Sequence, residues 1–299
     1  PKSLAAILPF LILLIVGSGW GFGVALVKYG TTHGIPPFGY LFWMALGAGA
    51  VAFMICVIRG RLPKMTRRHL RYYFLVGGLR LAGANVIFYT AIQHIPAGVM
   101  SVVLGTSPIF TYALSLSFGI EKFFPARLIG IVCGLGAMVL FIVPSGSLPN
   151  PTMAGWTMFA ILAPVLYSVA NITIEKLRPS EGDSLTFAVG MLWAAALIIL
   201  PVALITGDFY PIWRQVTWAE IALFTHMAIN GLTFLGLFEL IRRTGPTYAS
   251  QITYIVTLTG VMFGIVMFGE VHSVWVWAAT AMVLGGVALV NLRPPAKQS

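Results

Sequence analysis

The sequence predicts an all-α polytopic membrane protein: ten transmembrane helices as a 5+5 inverted-topology repeat, with both termini cytoplasmic. Three observations predict it. The 299 residues are 59% apolar and only 9% charged, against about 25% charged in a soluble domain. Such a chain could not cover itself with a polar surface. Its apolar runs are roughly 20 residues long, the length that crosses the hydrocarbon core, and they lack the alternating pattern of a β-barrel. The second half also repeats the first faintly. Phe118-Gly119-Ile120-Glu121 precedes an apolar run with Leu135-Gly136 and Leu140, and Met267-Phe268-Gly269-Glu270 precedes one with Leu284-Gly285 and Leu289. The same offset carries Ser101 onto Ser250. Two copies of an odd number of spans must lie in opposite orientations, an architecture typical of secondary transporters.

The first span, 4–28, is too long for the apolar core of a signal peptide and shows no small-residue cleavage site. Pro36-Pro37 opens the second, 36–58, where a helix tolerates a missing N–H. The third, 71–94, follows a basic segment. Pro96 precedes the fourth, 97–119, and Pro125 opens the fifth, 125–144. The longest uncharged break, Pro144–Thr152, is rich in Pro, Ser, Gly and Asn and joins the halves, 1–148 and 149–299. Pro151 precedes the sixth span, 152–176. The seventh and eighth are 184–206 and 217–242. Pro246 opens the ninth, 246–268, and the tenth is 273–292. Cys56 and Cys133 fall inside spans and read as small packing residues, not as a disulfide or metal pair. Gly17/Gly21, Gly19/Gly23, Gly130/Gly134 and Gly260/Gly264 are GxxxG pairs that let helices approach closely. They serve either packing within one monomer or a dimer seam.

The net charge of +10 points to membrane orientation, not to nucleic acid. With the N-terminus inside, cytoplasmic loops receive Lys2, Arg59, Arg61, Lys64, Arg67, Arg68, Arg71, Lys122, Arg127, Lys176, Arg178, Arg242, Arg243, Arg293 and Lys297. The outside receives only Lys28 and Arg214, and Arg80 lies within a span. This is the positive-inside bias.

Polar groups within spans are costly and face a cavity or a partner. Arg80 lies about 13 Å of helix from the cytoplasmic end of its span. It is either a cationic anchor for a carboxylate or a snorkelling side chain. Asn85, Tyr89 and Gln93 follow it at a spacing of four, on one helical stripe. His226, Asn230 and Thr233 form a similar stripe on the eighth span. Tyr167 and Asn171 share a face of the sixth. Ser101, Ser107 and Thr111 dot the fourth, and Ser250, Gln251, Tyr254 and Thr257 the ninth. Ser and Thr often bond their own helix carbonyls, so each alone is a weak signal. Together they predict an aromatic-lined polar cavity of Trp20, Arg80, Asn85, Tyr89, Tyr167, Asn171, His226, Asn230 and Tyr254.

The acids are Glu121, Glu175, Glu181, Asp183, Asp208, Glu220, Glu239 and Glu270. All fall in loops or near helix ends, so no carboxylate sits at the midplane where a proton relay would be placed. Glu239 is spaced to pair with Arg242 and Arg243. His226 could titrate near neutrality or be a hydrogen-bonded packing histidine. There is no GxSxG elbow, HExxH helix, Walker A loop or pair of intramembrane aspartates. A membrane enzyme or scaffold finds no support, and neither metal nor cofactor is expected.

Trp20-Gly21 followed by Lys28, Ser107-Pro108 in the fourth span, and small-residue fifth and tenth spans together resemble the drug/metabolite transporter superfamily. The short loops look like its EamA branch. The first helix, the Ala97-to-Ala113 stretch and the region around Glu121 are similar to bacterial exporters of aromatic amino acids within it. The resemblance implies a secondary transporter of the bacterial inner membrane, working as a monomer. It implies export of aromatic amino acids and similar flat metabolites by alternating access. Small four-helix relatives carry a coupling glutamate in the first helix, and Gly17–Gly23 here has none. A facilitative exporter is therefore expected, the alternative being a proton-coupled drug/metabolite antiporter of the same fold. Single cysteines placed in the Arg59–Arg71 loop and in Pro144–Thr152 should label from opposite membrane faces. Labelling of both from one face would overturn the ten-span topology.

Overall fold

The computed structural model describes residues 2–142, 146–213, 216–244 and 246–291. Pro144, Arg214, Arg293 and Lys297 lie outside these, and the side chains of Lys2 and Glu175 are likewise not described. Every element among the described residues is helical. We number ten rods: α1 Lys2–Thr32, α2 Pro37–Ile58, α3 Arg67–Ala91, α4 Ala97–Ser117, α5 Pro125–Ile142, α6 Met153–Ala160 and Leu162–Leu177, α7 Ser184–Thr206, α8 Trp218–Thr244, α9 Pro246–Ala249 and Ile252–Phe268, and α10 Val274–Val290. Seven of them are long and apolar enough to cross a membrane, and α5, α9 and α10 are shorter apolar helices. Large apolar side chains such as Ile15, Met54, Ile205 and Val266 are mostly exposed on the outside of the bundle, as lipid-facing residues would be.

Local chemistry sets the rod boundaries. The predicted start of α3 at residue 71 is corrected to Arg67, so Arg67, Arg68 and Arg71 are helical and not loop residues. Pro108 lacks the N–H that would bond Leu104, and α4 breaks at Thr106. Pro164 does the same to Ala160, and α6 breaks at Ile161. The middle of α3, Gly77–Ala84, is a wide π-helical stretch, a deformation often found at functional sites. α8 opens on a capping box: Glu220 accepts the Thr217 backbone N–H at 2.7 Å and is itself bonded by the Tyr210 hydroxyl.

α1 lies between α8 and α9, and α2 between α7 and α8. α3 packs on α6 and α7, α4 on α6 and α9, and α5 on α10. Exchanging each rod of one half with the rod five places later leaves this neighbour list unchanged. All eight glycines of the GxxxG pairs meet other helices of the same chain. A Cβ on Gly17 or Gly21 would strike Ile255 or Thr259 of α9, whereas one on Gly19 or Gly23 would strike Thr233 or His226 of α8. Gly130 and Gly286 bring the backbones of α5 and α10 together, a Cβ on Gly286 falling 2.8 Å from the Gly130 carbonyl oxygen. Cys133 sits in the same seam.

That seam has no room for a branched side chain. Gly286→Val should lower stability by about 1–3 kcal/mol, read as a lower apparent Tm in detergent. Gly155→Val, where a Cβ meets nothing within 4 Å, should cost nothing in packing, gain slightly in helix propensity and leave the Tm nearly unchanged. Equal melting of the two variants would refute the close α5–α10 approach.

Candidate functional site

A cavity of about 720 Å³ lies between the halves. Its wall draws on α1 (Trp20, Gly23), α3 (Arg80, Asn85, Phe88, Tyr89), α4 (Ser107, Thr111), α6 (Tyr167, Asn171), α8 (His226, Asn230, Phe234) and α9 (Ser250, Thr253). Eight of the nine residues expected from the sequence therefore share one cavity. Tyr254 is not among the lining residues. The cavity-facing stripe of α9 is Ile252, Thr253 and Val256, and Tyr254, one residue further round the helix, packs against the apolar core instead.

The π-helical turn of α3 presents Arg80 to α6. Its Nη1 donates to the Asn171 Oδ1 at 2.7 Å, and its guanidinium lies 5.3 Å from the centre of the Tyr167 ring. The Tyr167 hydroxyl donates to the Asn85 Oδ1, one turn along α3. Asn171 Nδ2 reaches Thr111 Oγ1 of α4 at 3.4 Å. Ser168 Oγ also bridges α6 to α4 through the Ser107 carbonyl, at 2.9 Å. Arg80 has no carboxylate partner among the described residues. A desolvated guanidinium held by a neutral amide and an aromatic face is a ready acceptor of an anion.

The opposite wall is aromatic. Trp20 meets Phe234 edge-on at 6.0 Å. Tyr89 meets Tyr40 edge-on at 5.7 Å, and the Tyr40 hydroxyl lies 3.3 Å from His226 Nδ1. His226 is thus a hydrogen-bonded wall residue, seated where Gly23 lacks a Cβ. Asn230 Nδ2 rests on the Met44 sulfur at 3.4 Å.

The two ends of the bundle differ. At one, Glu270 accepts the backbone N–H groups of Ala97 and Gly98, at 2.5 and 2.9 Å, capping α4. Lys28 Nζ closes the knot, 3.0 Å from Glu270 and 2.9 Å from the Ile95 carbonyl oxygen. His272 stands 3.5 Å from the same carboxylate. Burial holds its imidazole below the usual value, with Glu270 pulling the other way. At the other end Glu121 pairs with Arg127, and both line the cavity with Asn291. The sequence placed Glu121 only among the acids of loops and helix ends. Phe88, Phe234 and Asn291 were missed, although each lies within four residues of a polar or aromatic position already flagged or at a helix end.

Residues 7–143 and 154–292 each match the model of the EamA-like transporter family. Among curated proteins the chain is similar to the uncharacterized inner membrane transporter YedA of Escherichia coli K12, with 26% identity over 91% of this chain and 87% of that one. It is similar to the threonine/homoserine exporter RhtA of Salmonella typhimurium LT2, with 26% identity over 99% and 97%. A solved crystal structure superposes with a TM-score of 0.62 over 96% of each chain at 19% identity, a likeness of fold.

Glu270 satisfies two helix N–H groups and an ammonium at once, so its charge is the element to test. Glu270→Gln leaves Lys28 without a counter-charge and should cost about 1–3 kcal/mol, lowering the apparent Tm. Glu181→Gln, in the exposed pair with Lys64, should shift it little. The reverse ranking would dismiss the knot as a stabilising element.

Proposed function

The chain belongs to the EamA-like transporter family, and from that premise we propose that it exports amino acids and related small carboxylates, flat aromatic ones foremost, without obligatory proton coupling. It is a multi-pass inner-membrane transporter. The observation that carries the substrate reading is Arg80. A charged group in the bundle interior marks a functional site unless it is neutralised, and this one faces the cavity held by Asn171 and Tyr167, with no carboxylate on it among the described residues. A substrate carboxylate supplies the missing charge through the guanidinium fork. Trp20, Phe88, Tyr89 and Phe234 offer ring faces to a flat side chain. The RhtA relative is named for small polar substrates, so the aromatic preference rests on this lining.

We read the two halves, 1–148 and 149–299, as inverted repeats of five spans each, with both termini inside. Support comes from the neighbour list that survives exchange of the halves and from two stretches that match the same family model. Alternating access then swaps the environments of the two ends. The Lys28–Glu270 knot closes the outer end, and the cavity reaches the cytoplasmic end between Glu121, Arg127 and Asn291. Facilitative transport is favoured because the cavity's acid is Glu121, at its mouth and already paired with Arg127. A guanidinium keeps its proton and cannot serve as a relay.

Proteoliposome flux tests this reading. Labelled phenylalanine and tryptophan should equilibrate down their gradients with no imposed pH difference. Arg80→Gln should reduce that flux by roughly 10–100-fold, the equivalent of one charge-assisted hydrogen bond of about 1.5–3 kcal/mol. Full activity of Arg80→Gln would remove the anchor. Uptake above equilibrium driven by a pH gradient and abolished in His226→Ala would replace facilitation with antiport.

A further inference from the structure

A second concavity lies away from the transport cavity, at the end of the bundle that carries the predicted cytoplasmic loops. It is a groove of about 1080 Å³ between the foot of α3 and the end of α6. Arg67, Arg68, Arg71, Lys176 and Leu177 line it at the feet of the two helices, and Phe74 and Leu75 line it further along α3. All four cations are exposed, and so are the three apolar side chains, at 49%, 43% and 45%.

Cations elsewhere on that face are mixed, with Arg59, Lys122 and Arg178 also lacking a carboxylate partner among the described residues, but several are neutralised. Arg61, Lys64, Arg127, Arg242 and Arg243 each pair with a carboxylate. None of the four groove cations pairs with one among the described residues. Glu181, whose carboxyl is held below its usual value first by the Lys64 hydrogen bond and also by the charge of Arg68, is committed to Lys64 at 2.5 Å. Arg67 and Arg71 are four residues apart on one helix, a spacing at which like charges repel. A positive-inside signal requires cations on this side; it does not require them to converge from two helices on one unneutralised groove.

The direction of the groove supplies the second half of the argument. From Arg67 to Leu75 the helix rises about 12 Å, passing from cationic to apolar side chains. That is the order of a phospholipid entering a leaflet: phosphate at the interface, acyl chain below it. Guanidinium groups grip phosphodiester oxygens through paired N–H bonds, and basic pockets between spans on the cytoplasmic side suit anionic headgroups.

We infer that this groove is a binding site for an anionic phospholipid, with the phosphate held by Arg67, Arg68, Arg71 and Lys176 and an acyl chain laid along Phe74 and Leu75. The bound lipid would clip together the feet of α3 and α6, the two helices that carry Arg80 and Asn171. This goes beyond the transport reading and does not depend on which substrate is carried.

The test uses the full chain in nanodiscs of phosphatidylcholine alone or with phosphatidylglycerol or cardiolipin. Thermal stability is followed, and lipid retained after detergent extraction is counted by native mass spectrometry. Wild-type protein should keep at least one anionic lipid and melt higher in the anionic discs. Arg71→Gln/Lys176→Gln should lose both effects. Arg59→Gln/Lys122→Gln removes the same charge from this face outside the groove and should keep both. Equal loss in the two double variants would mean diffuse charge attraction and overturn the site. So would equal retention of phosphatidylcholine. Inorganic phosphate in phosphatidylcholine discs should not raise the melting temperature. If it matches the anionic lipid, the groove reads free phosphate and the lipid assignment fails.

Discussion

Helices immersed in lipid gain nothing from hiding apolar surface, because the tails around them are equally apolar. What holds them is close contact, and in this chain glycine sets the distance. α1 shows the constraint most plainly. Gly17 and Gly21 seat it on α9, while Gly19 and Gly23, two residues out of phase, seat it on α8. One helix is thus clamped from both sides, and a Cβ on either face would push it away. The cavity inherits its shape from that clamp. His226 stands against Gly23, Trp20 reaches Phe234, and the wall between them exists only while α1 stays seated. The α5–α10 seam at Gly130 and Gly286 applies the same device at the flank of the bundle.

Given that frame, most polar side chains in the spans are spent locally. Ser101 bonds the Ala97 carbonyl, Thr111 the Ser107 carbonyl and Thr257 the Thr253 carbonyl, all one turn back on their own helices. A smaller set bonds across helices, including Arg80 to Asn171, Tyr167 to Asn85, Asn171 to Thr111 and Ser168 to Ser107. These bonds tie α3, α4 and α6 into one polar wall. The set sits beside the two proline breaks, at Thr106 and Ile161, and beside the π-helical turn of α3. Irregular backbone within a membrane is tolerated where it lines a cavity, so the position of the breaks and of the polar wall is one fact seen twice.

Much of this was legible in the sequence because hydrophobic length and charge bias act along the chain. The rods fall where apolar runs and prolines put them, and the polar stripes at Asn85/Tyr89 and His226/Asn230 follow from a spacing of four. Other features depend on rotation and tertiary distance. Tyr254 carries the same polar signal as Thr253, yet a turn of about 100° per residue sends one to the core and the other to the cavity. The π-helical turn that aims Arg80 has no marker beyond three glycines. Nor does a linear pattern disclose that Glu270 caps a helix beginning at Ala97, since the partners are backbone groups far away in the chain.

Glu121 and Glu270 occupy matching places in the faint repeat but differ in surroundings. Glu270 is nearly enclosed, with two helix N–H groups and Lys28 on it. Glu121 is partly exposed at the cavity mouth, with Arg127 as its salt-bridge partner. Two copies in identical surroundings would make both ends of the bundle alike, either both sealed or both open. On the alternating-access reading proposed above, one sealed and one wet carboxylate is the asymmetry that a single access state requires. A carboxylate that caps helix N–H groups gains more when water is excluded, since its interactions strengthen as the local dielectric falls. The sealed end is then stabilised by the groups that seal it. On the same reading, opening it demands a comparable gain at the other end, where Glu121 is the acid placed to provide one.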